Sequence, residues 1–259
     1  MCLIAFAWRA HPAYELVLIA NRDEFHHRPT AAAAAWPDHP QVFGGRDLLQ
    51  QGSWLALARD GRLAAVTNVR RMLPPDPAAP SRGALVADFV QGKWSAGEYA
   101  QRLLPRAEAY HGFNLLLCDG AQMIYVSNHP AGRVEILRPG VHAVSNASLD
   151  TPWPKLRRVR DGLSTWVARE HRDIGELFTL LGDTQPAPDA ELPHTGVGAE
   201  MERFLSPPFI RGASYGTRNS TALAISTQGG VRFHERRYGP DGQPSGETLE
   251  NLPLHHAAA

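Results

Sequence analysis

Cysteine, lysine, net charge and long apolar runs are all scarce in this chain, and each scarcity narrows what it can be. Cys2 and Cys118 are its only cysteines, too few for a disulfide framework, and no paired Cys/His spacing of the structural-zinc kind is present. That pattern fits a reducing, cytoplasmic setting. Lys+Arg 26 and Asp+Glu 26 cancel, so no overall field draws the chain to nucleic acid or to an anionic membrane. No apolar run approaches the roughly 20 residues needed to span a bilayer. The first run, Leu3–Trp8, is broken by Arg9-Ala10-His11 and follows no basic segment, which argues against a signal peptide and an integral membrane segment. Lys93 and Lys155 are the only lysines; the excess of arginine reads as compositional bias rather than as a site.

What the chain does have is concentrated in its first 25 residues. Leu3–Trp8 and Leu16–Ala20 flank a turn at Pro12 and predict a hairpin, which carries Asn21-Arg22-Asp23-Glu24 back beside Cys2. Cys2 directly follows the initiator methionine. Removal of Met1 would leave one residue with both a thiol and an α-amine, of ordinary pKa about 8.5 and about 7.7–8.0, so nucleophile and base would share a residue. A neighbouring arginine would favour thiolate, and a carboxylate would hold an ammonium. Along a strand Asn21 and Asp23 face one side while Arg22 and Glu24 face the other. Arg22 and Asp23 are the favoured partners of Cys2.

The rest alternates hairpins with helices. Arg28–Pro40, rich in Ala and Pro, reads as a loop over the site. Ser53–Arg59 and Arg62–Asn68 predict strands about Asp60-Gly61. Leu73–Pro77 breaks regular structure, and helices are predicted from Ser81 and from Ser95 to about Ala109. Strands follow at Phe113–Cys118, Gln122–Ser127, Val134–Leu137 and Val141–Ser145, then helices over Trp153 to about Glu170 and Ile174–Leu181. Gln185–Leu205 shows no clear period. Thr221–Ser226 and Val231–Tyr238 form a last strand pair, in one domain over 1–240, and 241–259 reads as a disordered tail. Grouped hairpins and paired helices predict an α+β fold with mostly antiparallel strands.

Four strings, Met1-Cys2, Asn21-Arg22-Asp23-Glu24-Phe25, Val144 through Lys155 (VSNASLDTPWPK) and Tyr215-Gly216-Thr217-Arg218, resemble the NRDE family, which includes the eukaryotic transport-and-Golgi-organisation proteins. More distantly the layout is similar to N-terminal-nucleophile hydrolases of the choloylglycine hydrolase and penicillin acylase type. The resemblance implies a four-layer αββα sandwich and hydrolysis of a non-peptide carbon–nitrogen amide bond. It assigns Cys2 as nucleophile, Asn146 and Asn68 as oxyanion donors, and Arg22 and Asp23 as the groups that tune Cys2. Arg218 would clamp a charge, with Asn21 and Glu24 beside the substrate. The alternative it implies is a non-catalytic carrier of a small hydrophobic ligand, haem or lipid, on the same scaffold.

Each residue has a plainer reading. Small cysteines are common in strands, Cys118 among Leu115-Leu116-Leu117 reads as core, and Asn21–Glu24 could form a capping salt-bridge network. Asn68 could serve a turn, Ser148–Pro152 could cap the next helix, and Arg218 could solvate a sheet edge. Adjacent His26 and His27 point apart on an extended strand, so a metal or haem site built on them with His11 and His39 is disfavoured. No metal and no resident cofactor are expected; the expected partner is a small amide or hydrophobic molecule.

Overall fold

The computed structural model describes residues 2–70, 76–169 and 173–254; Met1, most of the Leu73–Pro77 stretch and Glu170 lie outside them. Alternation along the first hairpin sets the architecture. β1 (Cys2–His11) and β2 (Tyr14–Phe25) pair antiparallel with Cys2 opposite Arg22. Ile4, Phe6, Trp8, Leu16 and Leu18 project to one face, and Leu3, Ala5, Ala7, Val17 and Ile19 to the other. A strand apolar on both faces must be covered twice. One face meets a second sheet, the other a helix layer.

The first sheet has six strands, completed by β10 (Gly140–Val144), β11 (Tyr215–Ser226), β12 (Gly230–Tyr238) and β13 (Pro244–Pro253), in the order β10-β1-β2-β11-β12-β13. The second runs in sequence order through β3 (Thr30–Trp36), β4 (His39–Asp47), β5 (Leu55–Ala58), β6 (Leu63–Asn68), β7 (Phe113–Cys118), β8 (Met123–Ser127) and β9 (Arg133–Ile136). All the recorded pairings are antiparallel. Between the sheets lies a core including Phe6, Leu57, Leu116, Tyr125 and Cys118. Helices α1 (Arg82–Gln91) and α2 (Ala96–Leu103) cover the second sheet through Leu85, Val86, Phe89 and Tyr99. Helices α3 (Pro154–Val167) and α4 (Phe178–Leu181) cover the first through Leu156, Val159, Leu163 and Leu181. The result is a four-layer αββα sandwich. Each fully buried Leu, Ile or Phe contributes about 1.5–3 kcal/mol, so three separate apolar clusters hold the layers together.

Three expectations change. The Ala-rich segment at 28–40 is not a loop: Thr30–Trp36 is strand β3, held on β4 with Trp36 Nε1 donating to Gly44 O at 3.1 Å. Pairing and burial of Trp36 and Ala33 override the weak strand preference of alanine. The tail at 241–259 is not disordered where described, since Pro244–Pro253 pairs with β12. It is an edge strand with mostly exposed side chains, so it lacks the apolar alternation that reveals a strand. β11 starts at Tyr215 rather than Thr221, because its turn-like residues pair with β2 (Tyr215 opposite Phe25, Thr217 opposite Asp23) around a bulge at Arg218. The segment without a clear period contains α5 (Ala199–Phe204).

Candidate active site

Cys2 opens β1 at the edge of a cavity of about 1150 Å³, which Arg22, Asp23, Glu24, Asn68, Arg70 and Arg82 also line. Arg22 stacks on Trp54 with its Cζ 4.3 Å from the ring centroid and donates to Thr30 Oγ1 at 3.3 Å. Trp54 itself packs so closely on Gly45 that a Cβ there would fall 2.2 Å from its ring. Asn21 faces the helix layer: its Nδ2 donates to Leu181 O (2.8 Å) and Pro208 O (2.9 Å), and its Oδ1 accepts from Ser220 Oγ (2.6 Å). The expectation that Asn21 lies beside the substrate is corrected by this geometry, which makes it a bracket between β2, β11 and the segment after α4.

The two asparagines expected as oxyanion donors hold different positions. Asn146 is 1% exposed, and both hydrogens of its amide are spent on Asn68, at 2.9 Å to the backbone O and 2.9 Å to Oδ1. Asn146 is therefore not itself an open donor. It occupies Oδ1 of Asn68, which lines the cavity and whose Nδ2 makes no hydrogen bond among the described residues. Beneath them runs a buried chain: Tyr125 O–H donates to Asn114 Oδ1 (2.7 Å), Asn114 Nδ2 to Thr67 Oγ1 (3.0 Å), Thr67 Oγ1 to Ser145 O, and Ser145 Oγ to Cys2 O (2.8 Å). This network ties the second sheet to the strand end bearing Cys2, and Ser145 Oγ, 3.0 Å from Asn146 Oδ1, joins it to the Asn146–Asn68 pair.

Burial dominates the electrostatics. It pushes the Cys2 thiol above its ordinary range, Asp23 and Glu24 add to the rise, and Arg22 opposes it. The arginine acts in the direction expected, but desolvation outweighs it. Asp23, 1% exposed, is likewise raised by burial, against Lys155 and a hydrogen bond from Thr217 Oγ1 at 2.7 Å. Lys155, 2% exposed, is pushed down to about 8 by burial and by Arg70, and its Nζ donates to Leu205 O at 3.1 Å. Arg70 forms a buried ion pair with Glu202 and lies 4.9 Å from the Trp153 ring centroid. Two cations and two carboxylates thus balance behind Cys2.

Glu24 is held by Arg28 at 3.9 Å, and Arg28 by Asp47 at 2.6 Å. Arg218 is absent from the cavity wall; it donates to Phe25 O (3.2 Å), Arg28 O and Thr30 Oγ1 (3.2 Å), so it secures the 25–30 turn instead of clamping a substrate charge. The histidines disperse: His26 contacts Gly212 O, His27 packs on Phe25, and His11 on Tyr14.

Sequence reading missed Arg82, the Asn114 network and the Arg70–Glu202 pair. Glu202 lies within the stretch that shows no clear period and 132 residues from Arg70, and Arg82 reads as an ordinary first residue of a helix. Its placement comes from a contact between glycines: a Cβ on Gly52 would fall 2.4 Å from Gly83 C, and Ser53 N donates to Gly83 O at 3.1 Å. That contact docks the start of α1 at the cavity.

The comparisons agree with this architecture. The family model "Transport and Golgi organisation 2" matches residues 1–240. The chain is 33% identical over 262 residues to the Transport and Golgi organization protein 2 homolog of Bos taurus, covering 91% of this chain and 92% of that one. It is 32% identical over 260 residues to the Homo sapiens homolog, with the same coverage. Among solved structures, the C2A mutant conjugated bile acid hydrolase of Clostridium perfringens aligns with a TM-score of 0.56 at 9% identity, covering 98% of this chain and 92% of that chain. The Caenorhabditis elegans N-acylethanolamine-hydrolyzing acid amidase ortholog aligns at 0.50 and 9% identity, covering 86% and 92%. The chain shares its fold with these two solved structures, and it belongs to the Transport and Golgi organisation 2 family.

Proposed function

We propose that this protein hydrolyses a small-molecule carbon–nitrogen amide bond, with Cys2 as an N-terminal nucleophile once Met1 is removed. The observation that carries the reading is the placement of Cys2 on a cavity into which Asn146 presents the amide of Asn68. Burial raises the thiol above its ordinary range, so in this mechanism its proton leaves during attack. Sγ bonds to the amide carbon, the Cys2 α-amine takes the thiol proton, and Asn68 Nδ2 donates to the developing oxyanion. The ammonium then gives its proton to the leaving nitrogen as the carbon–nitrogen bond breaks. Water attacks the thioester, the amine accepts its proton, and the acid and free thiol are released. Asp23 holds the ammonium; Arg22 opposes the rise in thiol pKa. The amidase activity in the name of the C. elegans neighbour is of this reaction class.

The test is turnover of a panel of N-acyl amides by the Met1-processed protein and by Cys2→Ala. Activity in the parent and none in Cys2→Ala supports the reading; an equally active Cys2→Ala protein overturns it. The second reading, a carrier of haem or lipid, draws on the apolar wall of Trp54, Val69, Met201, Phe204 and Leu205. Haem titration that leaves the haem absorption spectrum unchanged, with no thermal shift on adding lipid, would count against it.

A further inference from the structure

Of the four arginines that line the cavity among the described residues, Arg28 is paired with Asp47 and Arg70 with Glu202. Arg22 has no ion pair among the described residues, but it is stacked on Trp54 and bonded to Thr30. Arg82 differs. Its one hydrogen bond among the described residues is from Nη1 to Gly112 O at 3.1 Å, and it has no carboxylate partner there. Arg82 and Cys2 line the same cavity. An unneutralised planar cation lowered into a half-buried wall is costly unless an anion completes it, and a guanidinium fork fits a carboxylate on two parallel N–H bonds. The carboxylates on the same cavity are engaged elsewhere: Glu24 and Asp47 by Arg28, Asp23 by Thr217, and Asp76 by the backbone N of Ala78.

We propose that Arg82 binds an anionic group on the substrate of the Cys2 site, which makes that substrate an acidic amide bearing a carboxylate beside the bond that is cleaved. The remaining lining, Trp54, Val69, Pro80, Met201 and Phe204, suits an apolar body behind that headgroup. The inference rests on Cys2 as the reacting centre and adds the charge of what reaches it. Nothing in the sequence marks Arg82 for this role; the glycine contact between residues 52 and 83 puts it there.

Two alkylating agents of nearly equal size separate charge from reactivity. Iodoacetate and iodoacetamide each displace iodide to form a thioether on Sγ, and the first is an anion. The ratio of their rates at Cys2, read by peptide mass spectrometry, cancels the thiolate fraction and needs no turnover or Met1 removal. Its failure is therefore distinct from failure of the hydrolase reading. The folded protein should show a ratio higher than the same chain unfolded in urea. Arg82→Gln should lower that ratio by about tenfold or more, as expected for loss of a charge-assisted contact. Arg82→Lys should keep most of it. If Arg82→Gln does not fold, chloride still tests the site: raising it should lower the wild-type ratio toward the unfolded value. A folded wild-type ratio no higher than the unfolded one, or a ratio unchanged in folded Arg82→Gln, overturns the proposal.

Discussion

The buried Arg70–Glu202 pair offers the most exposed quantitative consequence of the structure. Their side chains are 4% and 3% exposed, and Glu202 also accepts from Thr195 N at 2.8 Å and Thr195 Oγ1 at 2.6 Å. Glu202 belongs to α5, whose neighbours Met201, Phe204 and Leu205 form the apolar wall of the cavity. Arg70→Met removes the cation and strands a carboxylate away from water, which costs about 3–5 kcal/mol when a buried pair is broken from one side. The two Thr195 bonds remain and offset part of this, so about 3 kcal/mol is expected. At roughly 2–4 °C per kcal/mol for a chain of this size class, the melting temperature should fall by roughly 6–12 °C. Replacing both residues, as Arg70→Met with Glu202→Leu, should recover more than half of the loss, because neither charge is then left alone. The assay is thermal and urea unfolding of the two single variants and the double variant. Single-variant shifts under about 1 °C, or a double variant that merely sums the singles, would refute the claim of a desolvated, coupled pair.

Three further outcomes follow from the site. Asn68→Ala, at a half-buried position, should lower amide turnover about 10²–10³-fold with little loss of stability, whereas Asn146→Ala should lower turnover and also cost about 1–3 kcal/mol by leaving Asn68 O unsatisfied; urea unfolding of both separates donor from positioner. Lys155 is neutral above about 8 in the fold but protonated to about 10.4 in the unfolded chain. Because the unfolded state binds the extra proton in that window, the Lys155 contribution to stability should rise with pH from about 8 to about 10.4, by up to about 3 kcal/mol, against the opposite contribution of the buried Cys118 thiol, pushed up to about 12; the wild-type slope should therefore exceed that of Lys155→Met, and equal slopes would contradict it. Iodoacetamide labelling of folded Cys2 should reach half its maximal rate at a pH above that of a free cysteine peptide. Arg22→Met should move it higher still, since the arginine opposes the burial-driven rise.

How much of this was legible in the sequence depended on how local the cause was. The first hairpin, the Asp60-Gly61 turn and helices α1 and α3 announce themselves through alternation, turn residues and 3.6-residue spacing. β3 and β13 do not: one is built from alanines and the other is an exposed edge, so partner strands rather than their own residues define them. In the site, Cys2, Arg22, Asp23, Glu24 and Asn68 line the cavity as a hairpin and a strand end suggest. Asn146 reaches it only through Asn68, while Asn21 and Arg218 point into packing that alternation and a bulge decide. The sign of the arginine's effect on the thiol was also readable, but not the larger effect of burial, which requires all four layers in place.

The central claim is that Cys2 carries a thiol and a free amine together. The direct measurement is reaction of the purified chain, unfolded in urea, with 2-cyanobenzothiazole, which closes a ring only on a residue holding both groups. Intact-mass spectrometry reads the product. A protein mass lacking the initiator methionine, with one adduct mapped to Cys2, is the predicted result. A chain that keeps Met1 in cells with active methionine aminopeptidase, and takes up no adduct, would contradict the account and leave the cavity to the ligand-carrier reading.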